Sequence, residues 1–406
     1  MLLTSEATAQ KPAITISWKK IAIVPPQNSE KSLGFAGAIN GIDNNVLIVA
    51  GGSNFPDGMP WEGGKKSYYD RIFVLEKKGE EFTWNKKVNS VLPEPIAYCG
   101  NTSTPSGIVY VGGENEKGIS NKCFLLKWNE QKKEVEIKPL PDLPLRLTNI
   151  AVTNIENVVY TAGGDKEKSS SNSFFSLDLK DEDLHWKTLP NLPVPLANAT
   201  AIAQNGLSGK EIFIIGGRSK NASGISNLHN TTFAFDIENH QWKKCADISD
   251  GINTTNLSAA AGVALGENKI LITGGDNGKT FHLIEMLIAK IREAKIPKEK
   301  EKLVSEKNNL SIYHNGFDRS LWLYDTSSDA WTKIGELPFP AHVTTTDVKW
   351  GDDIVISNGE IKPGVRTPDI MIGEISYKML KKITNYSLSP FVFVGKSVQH
   401  ERKKKL

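Results

Sequence analysis

Cysteine is scarce: 406 residues hold only Cys99, Cys123 and Cys245, with no CxxC spacing and one left over if two were bridged. Neither a disulfide framework nor a zinc site is implied, and the three are expected to be buried fillers. No apolar run approaches the roughly 18 residues that would suggest a membrane span. An excess of one charge is missing too. Lys and Arg number 49 against 46 Asp and Glu, a net charge of +3, and part of that lies in the tail Arg402, Lys403, Lys404, Lys405. A nearly neutral body offers nucleic acid no basic face, so no nucleic-acid partner is expected, and the tail is expected to be a solvated terminus. The first ten residues, MLLTSEATAQ, lack an apolar core long enough for a signal peptide.

What the chain does have is glycine, 34 residues of it, in a repeating place. Five β-branched runs end in a glycine pair: VLIVAGG (Gly51, Gly52), IVYVGG (Gly112, Gly113), VVYTAGG (Gly163, Gly164), IFIIGG (Gly216, Gly217) and ILITGG (Gly274, Gly275). A sixth, IVISNG, carries Asn358 and Gly359. The shorter intervals are 61, 51, 53 and 58 residues, close to the period of about 50 of a kelch blade. Continuous apolar runs suit second strands covered on both faces. Third strands follow in RIFVLE, CFLLKW, FFSLDL, TFAFDI and LWLYDT, and fourth strands carry Trp84, Trp186, Trp242 and Trp331, with Val135 in the second blade. Proline-rich links (LPEP, LPDLPL, LPNLPVPL, ELPFP) then lead to the next blade. The expectation is an all-β, six-bladed kelch-type β-propeller over residues 12–376. An N-terminal strand at 16–26, bearing Trp18, closes the last blade, and an extension at 377–406 fits no blade.

Two loops exceed the repeat, 53–68 and 276–318. In the second, Leu283, Leu287, Ile288 and Ile291 recur at helical spacing, which predicts one short amphipathic helix halted by Pro297. Bracing the ring and capping the channel mouth are both open to it.

The sixth glycine turn, NGEIKPGVRTPD (358–369), sets Glu360 and Arg366 about a Lys-Pro-Gly turn. Loops after second strands gather on one face around the channel, so both side chains can enter a shared, partly dry hollow. There Glu360 could give and take protons, and Arg366 could hold a carboxylate through parallel hydrogen bonds. A simple ion pair pinning the turn is the alternative. By position after a glycine pair, Asn54, Glu114, Asp165, Arg218 and Asp276 share that face. Arg146, Asn149 and Asn198 precede first strands. Of these, Arg218 and Asn198 are the foremost secondary ligands, with Asn54, Asn149 and Glu114 behind them.

The stretch NGEIKPGVRT is similar to the NGEAKPGxRT signature of the sialic acid mutarotases, also called N-acetylneuraminate epimerases. The resemblance extends to GFAGAI (34–39), KKSYYD (65–70), AYCGNTS and FDRSLWLYD, with a circularly shifted blade order, while PLANA (195–199) lacks an Arg that the family pattern would place there. It implies that Glu360 is the acid/base residue and that Arg366 binds the carboxylate of a sugar acid. The reaction is then interconversion of the α and β anomers of N-acetylneuraminate, with no cofactor. It also implies a periplasmic or secreted setting, the cytoplasm not being excluded, and a homodimer is left open. The competing reading is a non-catalytic kelch propeller binding a protein or glycan. A copper-radical oxidase would need two His ligands, and the seven histidines show no metal spacing.

Overall fold

The computed structural model describes residues 13–27 and 31–378. Six four-stranded antiparallel sheets follow one another along the chain. Blade one runs outward through Ile39–Asp43, Val46–Ala50, Ile72–Lys78 and Glu81–Trp84. Blades two to five begin at Gly100–Thr104, Ala151–Ile155, Thr200–Gly206 and Ala261–Leu265 and repeat that order. In blade six, Val348–Trp350, Asp353–Ser357 and Asp369–Lys378 are joined on the outside by Ala13–Ile23. The innermost strands of neighbouring blades touch all the way round, including six against one. Sharing one sheet between the two ends of the chain closes the ring and removes free sheet edges.

The repeat positions explain themselves in contacts. Val46–Ala50 and Gly107–Val111 are buried at every residue, as continuous apolar second strands between two neighbours must be. The indoles of blades one, three, four and five cross to the preceding blade: Trp84 Nε1 donates to the Ile23 carbonyl at 2.9 Å, Trp186 to Pro141 at 2.8 Å, Trp242 to Pro190 at 2.8 Å and Trp331 to Ala246 at 3.1 Å. Each ring fills the gap between blades while its one polar atom is satisfied. The glycine pair is forced by the same crowding. Gly163 has φ 66°, and a Cβ there would stand 2.0 Å from the Leu196 carbonyl oxygen, so no other residue fits without moving backbone. Asn358 takes the equivalent place in blade six at φ 46°, a conformation Asn tolerates better than most.

Around the axis, six residues preceding the first strands, Gly37, Tyr98, Asn149, Asn198, Ala259 and Thr344, all have left-handed φ between 52° and 65°. Each backbone N–H donates to the carbonyl of its neighbour in the adjacent blade. The chain of bonds runs Tyr98 to Gly37, Asn149 to Tyr98, Asn198 to Asn149, Ala259 to Asn198, Thr344 to Ala259 and Gly37 to Thr344, at 2.7–3.2 Å. This closed hydrogen-bonded girdle satisfies backbone groups that the buried hub would otherwise orphan, and it floors the mouth of the channel.

The long insertion of blade five holds two helices where the spacing predicts one, α1 (Lys279–Glu293) and α2 (Pro297–Ile312), packed on each other. Pro297 does not halt a helix; it begins the second. At a first helical position its missing N–H costs nothing, and it holds Ile296 extended (φ −91°, ψ 120°) as the cap. Glu285 fastens α1 to blade four, accepting from the Ser226 N–H at 2.7 Å and hydroxyl at 2.9 Å. Neither helix, nor any other among the described residues, is long and apolar enough to cross a membrane. The 377–406 extension lies outside the described residues from 379 onward.

Candidate active site

One residue past each glycine pair, the chain bridges back to the strand entry of its own blade: Ser53 to Ala36, Glu114 to Ala97, Asp165 to Thr148, Arg218 to Ala197, Asp276 to Ser258 and Glu360 to Val343. Six equivalent side chains thus stand around the girdle. The member from blade one is Ser53, not Asn54. Asn54 is buried one residue further on, its amide donating to the Gly34 carbonyl at 3.0 Å and its oxygen accepting from Tyr69 at 2.7 Å. It braces the turn and does not reach the hollow, a one-residue slip that turns a side chain to the opposite side.

Above the girdle lies a cavity of about 340 Å³. Glu360, Arg366, Arg218, Asn198 and Asp276 line its polar side, and Phe55, Trp61, Phe281, Ile284 and Phe317 line its apolar side. Thus the structure brings together Glu360, Arg366, Arg218 and Asn198, while Asn149 and Glu114 fall elsewhere. Asn149 does not line that cavity; its amide donates to Asp165 at 3.1 Å. Glu114 is engaged by Lys66 at 3.3 Å and by the Tyr68 hydroxyl at 2.9 Å. Arg146 is exposed and lines a surface groove with Lys166 and Lys168.

The two arginines differ in how they are held. Arg218 makes a bidentate pair with Asp165, at 3.3 Å and 2.5 Å, the fork geometry that fixes a guanidinium plane. Asp165 is itself held by Asn149 and by the Ser170 hydroxyl at 2.9 Å. Arg366 has a side chain only 5 % exposed, yet its Nε and Nη1 make no hydrogen bond to any described residue. Nη1 stands 3.7 Å from Glu360 Oε1, Nη2 is 3.5 Å from the Tyr98 hydroxyl, and the Phe55 ring lies 4.6 Å from the guanidinium carbon. Glu360 accepts a 2.6 Å hydrogen bond from the Gly364 N–H, across the turn that Lys362, Pro363 and Gly364 form. Hence the sequence pair is a real pair, but a loose one, with donors left over. Buried donors without partners are rare unless something else completes them.

Asp276 stands beside Glu360 at the same position of the neighbouring blade. Burial pushes its carboxyl above the usual range and the Glu360 charge adds to this, against the Gly278 N–H and His314. Burial likewise holds His314 below its ordinary value. The apolar wall was missed in the sequence. Its signal was present, since Phe55, Trp61, Phe281 and Phe317 all fall in the two loops longer than the repeat, where aromatics have no blade to fill. Among the described residues no group of three or more His, Cys, Asp or Glu is placed to hold a metal.

The model of the N-acetylneuraminate epimerase family matches residues 140–390. Three relatives carry that name. The Brucella melitensis protein is 28% identical over 238 residues, 58% of either chain. The Haemophilus influenzae protein is 28% identical over 241 residues, 59% of this chain and 60% of its own. The Salmonella typhimurium protein is 26% identical over 255 residues, 62% of either. The chain therefore matches less than two thirds of the length of these relatives. The family match takes in Asn198, Arg218, Asp276, Glu360 and Arg366, every polar residue named on the cavity wall, and with it the chain belongs to the N-acetylneuraminate epimerase family.

Proposed function

We propose that this protein is a sugar-acid mutarotase that interconverts the α and β anomers of N-acetylneuraminate. The observation that carries the reading is Arg366: a buried guanidinium with unpartnered Nε and Nη1 on a cavity wall, beside a carboxylate. A carboxylate ligand completes such a group through two parallel, charge-assisted hydrogen bonds. Holding the sugar acid there brings its anomeric carbon, which bears that carboxylate, close to Glu360.

The chemistry follows from that placement. Ring opening needs a proton taken from the anomeric hydroxyl and one delivered to the ring oxygen. Glu360 takes the first, steadied meanwhile by the Gly364 N–H. Closure on the other face of the open-chain keto acid reverses the transfers. Aromatic side chains over the cavity exclude water and strengthen every polar interaction inside. Such an enzyme meets newly released sugar, and on that ground we assign it to the periplasm or the exterior.

Proton nuclear magnetic resonance of freshly released α-anomer supplies the test. The wild-type chain should shorten the approach to anomeric equilibrium, and Glu360→Gln should slow it by about 10²–10⁴-fold, the usual share of one acid/base group. If purified protein leaves the spontaneous rate unchanged, the reading fails and a non-catalytic propeller remains.

A further inference from the structure

The ring of six equivalent positions contains a second carboxyl with no assigned duty. Glu114 is paired with Lys66 and Asp165 with Arg218, so neither is free to move a proton. Asp276 differs from both. No described lysine or arginine forms an ion pair with it, and among the described residues its carboxyl has one hydrogen bond, Oδ1 accepting from the Gly278 N–H at 2.8 Å. It lines the same cavity as Glu360 and Arg366, and its place in blade five repeats that of Glu360 in blade six. The buried, unpartnered nitrogens of Arg366 independently mark this cavity as built for an anion.

We propose that Asp276 is the second catalytic carboxyl of the site, the proton donor to the ring oxygen, with Glu360 as the acceptor of the anomeric proton. This rests on the mutarotase reading. The balance is complete without any co-reactant. The hydroxyl proton passes to Glu360, the bond from anomeric carbon to ring oxygen breaks with its electron pair staying on that oxygen, and the Asp276 proton joins it. After rotation of the open chain, the ring hydroxyl returns its proton to Asp276 as its oxygen attacks the carbonyl carbon, and Glu360 returns its proton to the carbonyl oxygen. Two adjacent carboxyls whose environments differ divide acid and base roles naturally. Glu360 lies 3.7 Å from the Arg366 guanidinium and accepts a hydrogen bond from the Gly364 N–H. Asp276 is desolvated beside the Glu360 carboxylate, which favours its protonated form.

The charged groups facing Asp276 are Glu360 and Arg366 from blade six, Arg218 from blade four, and Lys279, His314 and Asp318 from the insertion. The experiment is anomer exchange across pH with wild type, Asp276→Asn and His314→Gln. Asn keeps the acceptor for Gly278 and loses the proton. D276N should lower kcat about 10²-fold or more with KM within about threefold, and should abolish the alkaline limb of the kcat/KM profile. H314Q should keep both limbs. D276N exchange within threefold of wild type, a loss confined to KM, or an alkaline limb that vanishes in H314Q overturns the assignment while leaving the mutarotase reading intact. A wild-type chain without activity overturns both. Asp276→Ser, small enough for the turn, repeats the measurement if D276N does not fold.

Discussion

Replacing Arg366 by Met separates a residue kept for a ligand from one kept for the fold. Met preserves length and an apolar stem against Phe55, whose ring lies 4.6 Å from the guanidinium carbon, and removes the charge. In the free protein the side chain is 5 % exposed, with two guanidinium nitrogens making no hydrogen bond to a described residue and the Glu360 carboxylate at 3.7 Å. Such a group is desolvated without full compensation and only loosely paired, so removing it should change stability by well under the roughly 3–5 kcal/mol that breaking a close buried pair costs. Glu360 keeps its Gly364 hydrogen bond and so is not stranded. Binding should fall. Two charge-assisted hydrogen bonds at about 1.5–3 kcal/mol each amount to roughly 3–6 kcal/mol, which is a loss of about 10² to 10⁴ in affinity. Calorimetric titration with N-acetylneuraminate, beside urea unfolding of the ligand-free protein, reads both quantities. A variant that binds like wild type but unfolds about 3–5 kcal/mol more easily, the signature of a broken structural pair, would show that Arg366 is kept for the fold and not for a ligand.

Asp165→Asn should behave in the reverse sense. It leaves Arg218, whose side chain is 12 % exposed, without its bidentate partner, so urea unfolding should show a loss of about 3–5 kcal/mol. Asp347 provides a pH test of the hub. Burial raises its pKa to about 7 from 3.8, and the Thr273 hydroxyl at 2.7 Å opposes this only in part. Because the folded value lies above the unfolded one, the native state holds the extra proton between about pH 4 and 7. Its stability contribution therefore falls as pH rises through that window and stays low above it. Asp347→Asn, which can still accept from Thr273, should gain on wild type by on the order of 4 kcal/mol between pH 4 and pH 8, following 1.36 kcal/mol per unit of pKa. Urea midpoints at the two pH values measure it, and a constant difference would show that the carboxyl does not titrate in the hub.

The blades were legible because each imposes the same local demands. A second strand pressed on both faces must be apolar throughout, and a turn crowded by the next blade must be glycine or, at Asn358, a residue that tolerates φ 46°. Glu360 and Arg366 were legible because one tight turn carries both, and their register across it follows from the hairpin itself. What escaped depended on contacts distant in sequence. Pro297 halts or begins a helix according to what precedes it, and the chain had room for a second helix that spacing alone did not separate. Glu114 and Asn149 have the right positions in the repeat, but Lys66, Tyr68 and Asp165 engage them from other loops.

The site arises where the near-symmetry of the ring is broken. Every blade offers one side chain at the same point above the girdle, so the scaffold fixes six positions and leaves their chemistry free. Blade two's carboxylate is matched by Lys66, and blades three and four match each other through Asp165 and Arg218. Those three sectors are electrostatically closed. Blades five and six instead set Asp276 and Glu360 side by side, with Arg366 only loosely paired, and the insertion of blade five covers them with Phe281 and Ile284. Among the six equivalent positions, the carboxyls without a close cationic partner are the two that share this cavity with Arg366. A Lys introduced at Ser258, the bridge partner of Asp276 on the cavity wall, should therefore close that sector too. It should suppress anomer exchange while leaving the propeller folded, and undiminished exchange in Ser258→Lys with a native circular dichroism spectrum would show that the uncompensated charge is not what the site requires.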